Sequence, residues 1–218
     1  MVCYRLIMKK SLNHPMLMKM LDWAYEKALS GIPGLDSAGE MAQKYMIQEG
    51  TLQDKANSLI RWQNAKAGTS GFITGIGGLI TLPVAIPANL ASVLFIQIRM
   101  IAVIAQMGGH NLREDRVKML VYTCLVGNIA KDFIQEAGIM IGTKLTARAV
   151  GSISERSILI INERVGFRLL ATYGSKGVIN LGKAVPLVGG LIGGAIDTVT
   201  TNLIGNTARN MFLPAEVK

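Results

Sequence analysis

The 218 residues suit one domain; half are hydrophobic and 17% are charged, below the usual quarter. Such a chain either buries a sizeable core or belongs partly in a membrane. Two cysteines, Cys3 and Cys124, make neither a disulfide framework nor a zinc site and indicate a reducing compartment. The net charge of +9 fits anionic lipid, an acidic partner or nucleic acid. No basic run is interleaved with aromatics and no nucleic-acid motif occurs, so nucleic acid is not an expected partner.

The opening MVCYRLIMKK is interrupted by Arg5, Lys9 and Lys10 and does not read as a signal peptide. From Pro15 to Leu29 the residues Leu17, Met20, Leu21, Ala24 and Ala28 recur at helical spacing, with Lys19, Asp22, Glu26 and Lys27 on the other face. Gly31, Pro33 and Gly34 end this helix. Asp36 or Ser37 caps a second helix running to about Gln48, with Glu40 in its first turn. Gly50 and Thr51 restart the chain into a third, reaching about Ala65.

The segment from Ala67 to Ile98 contains no Asp, Glu, Lys, Arg or His. Gly71, Gly75 and Gly78 fall close to one helical face. Each glycine costs about 1 kcal/mol against alanine inside a helix, so close backbone packing is expected there, as at Gly190 and Gly194. Pro83 and Pro87 punctuate the segment. Ala88 to Gln106 then forms one long apolar helix with Arg99 inside it, ended by Gly108 and Gly109. A bilayer span needs about 20 apolar residues. A central Arg costs roughly 2.5–3.5 kcal/mol on the insertion scale, and each Leu, Ile, Phe or Val returns only about 0.3–0.6. The favoured reading is therefore the core helix of a bundle.

The next region runs from Leu112 to about Ile141 with breaks at Gly127 and Gly138. Ser154 or Ser152 caps a helix from Glu155 to Tyr173, and a second glycine-rich unit runs from Ala184 to about Phe212. The fold class is all-α: a multi-helix bundle of seven to nine helices, with two glycine-rich helical units packed at its centre.

One polar constellation stands out in this apolar setting. Ser92, Arg99 and Gln106 are spaced by seven and share a stripe, with Asn89 one turn before Ser92 and Gln97 nearby. In the C-terminal unit Asp197 and Thr201 share a face beside Thr200. A buried charge is costly unless paired, so Arg99 and Asp197 are expected partners. That arrangement reads first as a structural ion pair, and otherwise as a polar pocket for a small anion or lipid head group anchored by Arg99. Catalytic templates fail: His14 and His110 are isolated, and neither HExxH, CxxC nor GxSxG occurs. Asp132 and Glu136, one turn apart, are the remaining candidates for a divalent metal, and a solvated helix face is the favoured reading. No catalytic residue, bound metal or cofactor is expected.

The run Thr74–Gly75–Ile76–Gly77–Gly78, then Pro83 and Pro87, then Gln97–Ile98–Arg99, resembles the core motif of the EcsC family of bacterial proteins. Lys183–Ala184–Val185–Pro186–Leu187–Val188–Gly189–Gly190, with Gly193–Gly194, Asp197 and Thr200–Thr201, is similar to that family's second motif. The likeness covers roughly residues 45–212. It implies a helical domain over residues 45–213 preceded by an N-terminal helical extension over residues 1–44. The family is named for a protein encoded beside an ABC transporter, which implies a cytoplasmic setting, peripheral at the inner face of the cell membrane, and no reaction.

Three functions follow as expectations. The first is a non-enzymatic accessory protein working at that face through an anionic lipid surface, an ABC transporter or another membrane protein. Lys144, Arg148, Arg156, Arg164 and Arg168, with the Met16–Met20 stretch and Trp23, would suit such docking. The second is a soluble helical module enclosing an apolar ligand such as an acyl chain or lipid. The remote third is a metal-dependent hydrolase using Asp132 and Glu136.

Overall fold

The computed structural model describes residues 12–67, 88–139, 145–173 and 189–214; within its helices the side chains of 66–67, 88–89 and 189–198 lie outside that description. The described chain is mostly helical. Its elements are α1 (His14–Ser30), α2 (Ala38–Met46), α3 (Leu52–Ala67), α4 (Ala88–Met107), α5 (Asp115–Cys124), a 3-10 turn (Gly127–Ile129), α6 (Ala130–Glu136), α7 (Ala147–Gly151), α8 (Glu155–Tyr173) and α9 (Gly189–Phe212). No strand occurs among the described residues; Ile32 and Leu35 form one isolated bridge.

Local chemistry sets the helix boundaries. Asn13 caps α1 by accepting from the Met16 amide. Ser37 and Glu40 form a reciprocal capping box at α2, which satisfies two otherwise orphaned amides. Ser154 accepts from the Ser157 amide at the start of α8. Gly127 and Gly138 adopt φ of +63° and +75°, a region that side chains avoid, and so divide the 115–139 region into α5, the 3-10 turn and α6.

Helix α4 is the axis of the bundle, packed against α1, α2, α3, α5 and α9. Leu94, Phe95, Ile98, Met100, Ile101, Val103 and Ile104 are all fully enclosed. Each such side chain contributes about 1.5–3 kcal/mol of burial. The stretch Leu90–Met107 is long and apolar enough to cross a membrane, and 89% of it is buried inside the bundle. A helix apolar all round is what a core position requires.

Helices α3 and α9 run antiparallel. Gln53 donates to the Pro214 carbonyl, Arg209 to Asn57, and Asn64 to Asn202. Between these bonds Gly205 lies against Ile60: a Cβ at position 205 would stand 2.7 Å from Ile60 Cγ1. Gly71, Gly75, Gly78, Pro83 and Pro87 lie outside the described residues, as do the surroundings of Gly190 and Gly194.

Helix α1 is part of the same core. Leu17, Met20, Leu21, Ala24, Tyr25 and Ala28 are buried in one cluster with the α4 side chains. Met16 and Met20 are thus core residues, closed off from any docking surface.

Candidate functional site

The long-helix polar residues are inside the protein. Ser92 and Arg99 have no exposed surface, Gln97 and Thr201 are 1% exposed, and Thr200 is partly buried. Gln106, on the same stripe as Ser92 and Arg99, is exposed at the helix end. The side chains of Asn89 and Asp197 lie outside the described residues.

These residues form two groups. Gln97 Nε2 donates to Thr201 Oγ1 at 3.3 Å, joining α4 to α9. Arg99 is two positions further along, about 200° around the helix, and meets the α1–α2 connection. Its Nη1 donates to the Asp36 carbonyl oxygen at 3.2 Å, and its guanidinium lies 5.5 Å from the Phe95 ring centre. Its Nε and Nη2 find no partner among the described residues. Burial lowers the Arg99 pKa to about 10, against the opposing pull of Asp36, so the group is still charged at neutral pH. The Asp36 carboxylate is turned to the surface, where it pairs with Lys44 at 2.8 Å. The chemistry of the Arg99 group is anchorage: a charged donor pins the turn that carries the α2 cap.

Asp132 and Glu136 do not stand as an isolated carboxylate pair. Glu136 is engaged by Arg164 across the α6–α8 contact. No group of three His, Cys, Asp or Glu with metal-ligand placement occurs among the described residues. His110 is buried, with its ring edge-on to Phe212 at 5.3 Å.

A second polar cluster joins α1 to α5. Asp22 accepts from the Tyr122 hydroxyl at 2.9 Å and from Lys118 at 2.7 Å. The Lys118 ammonium stands 5.6 Å over the Tyr25 ring and 5.9 Å over that of Tyr122. Tyr25 in turn donates to the Leu112 carbonyl at 2.7 Å. Burial, with the nearby carboxylates, pushes both phenols far above their ordinary range. Sequence reasoning did not find this cluster. Asp22 and Lys118 are remote in the chain, and each looks like an ordinary charge on the polar face of its own helix.

Two further features are open to solvent. The outward face of α8 exposes Leu159 (70%) and Phe167 (56%), with Arg156, Glu163, Arg164 and Arg168 also exposed along it. A cavity of about 850 Å³ opens between the 127–139 region and the last turns of α9, lined in part by Lys131, Ile134, Gly138 and Met211.

No curated protein and no solved structure shows significant similarity to this chain. A protein-family match covers residues 25–213, beginning inside α1 and running through the end of α9. The chain belongs to the EcsC protein family.

Proposed function

We propose that this chain is a non-enzymatic accessory protein that docks reversibly on the cytoplasmic face of the cell membrane, with anionic lipid, or a membrane protein such as an ABC transporter, as its partner. The observation that carries the reading is the outer face of α8. Leu159 and Phe167 are more than half exposed beside Arg156 and Arg168, with Glu163 on the same face and Arg164 engaged by Glu136. Large apolar side chains held out among arginines suit the boundary between lipid head groups and acyl chains. The burial of α4 within the bundle favours contact from outside over insertion of that helix. The surplus of basic residues acts in the same direction, each contributing about 1 kcal/mol near an anionic surface and fading beyond a Debye length.

Vesicle flotation tests the reading. The protein is expected to float with phosphatidylglycerol vesicles at low salt, to stay behind with phosphatidylcholine, and to be released at high salt. The double variant Leu159→Ser with Phe167→Ser should lose most of that binding at a small cost in melting temperature, since both side chains are more than half exposed and the Phe167 ring gives up its contact with the His14 ring at 4.8 Å. Protein left in the supernatant with anionic vesicles at low salt would overturn the lipid reading. Binding that survives high salt and yields only to detergent would show a spanning segment instead.

A further inference from the structure

We propose that the 850 Å³ cavity between the 127–139 region and α9 binds a fatty-acid-like amphiphile, an aliphatic chain ending in one carboxylate. The cavity has an apolar floor. Ala130 and Ile134, 1% exposed, lie behind it, and Ile139 and Met211, 8% and 9% exposed, offer it apolar surface. Its size falls within the roughly 300–1,000 Å³ of small-molecule sites, whose walls are apolar with a few placed polar groups.

The charge on the wall is one-sided. Among the described residues that line the cavity, Lys131 is the one that carries a charge. It makes no ion pair with another described residue, whereas Glu136, the nearest acid beyond the adjacent Asp132 on α6, is held by Arg164. The remaining polar lining consists of neutral amides and a hydroxyl, with Thr207 already donating to the Leu203 carbonyl. One cation above an aliphatic floor matches a carboxylate of charge −1 with an alkyl tail. A phosphate monoester would bring up to twice that charge against the same single lysine.

Chain geometry keeps the cavity open. At Gly138, with φ of +75°, no atom of the described residues lies within 4 Å of where a Cβ would stand, so the bend that closes α6 adds no side chain to the opening. The site is separate from the α8 face and does not depend on membrane docking.

The test uses the full-length protein and laurate below its micelle concentration, followed by titration calorimetry without vesicles. Laurate is expected to bind with one site per chain, and affinity should rise by up to about fourfold for each added methylene. Dodecanol, which lacks the charge, should bind about tenfold more weakly than laurate. Lys131→Met should remove that difference. Gln135→Trp, at an exposed rim position, should fill the opening and abolish binding of both ligands with an unchanged melting temperature. The Leu159→Ser, Phe167→Ser variant should bind laurate as the parent does, which separates this proposal from membrane docking. No laurate binding by the parent, equal binding by Lys131→Met and Gln135→Trp, or loss of binding in the α8 variant would each overturn the assignment.

Discussion

A fully enclosed guanidinium in the middle of an aliphatic helix is a costly group to bury. Arg99 keeps its charge at neutral pH, its pKa held near about 10 by burial against Asp36. Its described hydrogen bond goes to a backbone carbonyl, not to a buried acid. The effect of removing it therefore depends on whether a carboxylate is left behind. With only the Asp36 carbonyl orphaned, Arg99→Met should unfold within about 1–2 kcal/mol of the parent. Met fills most of the volume without the desolvation cost. Arg99→Ala should lose about 2–5 kcal/mol by leaving a cavity. Denaturant unfolding of the two variants decides this. A loss of 3–5 kcal/mol in Arg99→Met would instead reveal a buried carboxylate partner, and Asp197 is the residue that sequence reasoning names for that place.

At the scale of the helices, boundaries were legible because they are local. The Ser37 and Ser154 caps and the glycines at 31, 127 and 138 each act within one turn of the chain, whereas the Asn13 cap was not read from the sequence. The helix read over Glu155–Tyr173 has the observed bounds, and Ala88–Gln106 differs from α4 by one residue. Partnership was less legible. Of the stripe Ser92, Arg99 and Gln106, the first two are buried and Gln106 is exposed at the helix end, and hydropathy along one helix does not say which neighbour covers it. Gln97 turned out to meet Thr201, while Arg99 meets a loop more than sixty positions away. The short α7 carried too few residues for a periodicity to show. The α3–α9 contact gives a test at this scale. In Gly205→Ala the new methyl meets Ile60, a 2% exposed side chain, and should cost about 1–3 kcal/mol by overpacking. In an Ile60→Ala background the same methyl should cost less, a coupling measurable by a double-mutant cycle. Gly39→Ala in α2 meets nothing within 4 Å and has no positive φ, so it should stabilise by about 0.4–1 kcal/mol through the unfolded chain. Equal effects at 205 and 39 would mean that Gly205 is not packed against the Ile60 side chain.

Across the whole molecule, buried ionisable groups set a limit on the alkaline side. Burial raises the thiol of Cys124 above its ordinary 9.0 and the phenols of Tyr25 and Tyr122 above 10.0. A raised folded-state pKa favours the native state below the unfolded value, and that contribution is lost as pH rises past it. Arg99 has the opposite sign: lowered from 12.5 to about 10, it adds stability as pH climbs between those values. Three groups outweigh one, so the melting temperature should fall from about pH 9 upward. In Cys124→Ala the onset should move toward pH 10, where the tyrosines take over. A melting curve flat from pH 8 to 11 would contradict the burial of these side chains.

The same global packing bears on where the domain begins. Motif resemblance placed a boundary near residue 45, yet the family match starts at residue 25, and α1 lies on the central helix. The first 44 residues hold α1 and most of α2. They supply Leu17, Met20, Leu21, Ala24, Tyr25 and Ala28 to the core cluster, the Asp22 bond to Tyr122 and the carbonyl that receives Arg99. At about 1.5–3 kcal/mol for each of the four large side chains, that loss is comparable to the roughly 5–15 kcal/mol by which a domain is usually stable. It would also leave Phe95 and the surrounding α4 surface in water. A chain of residues 45–218 should therefore aggregate, or show no cooperative thermal transition by circular dichroism. Co-expression with a separate 1–44 segment should restore some soluble complex, because the lost contacts are noncovalent. If residues 45–218 alone melt cooperatively near the parent temperature, the first 44 residues are an appendage and the core closes without α1.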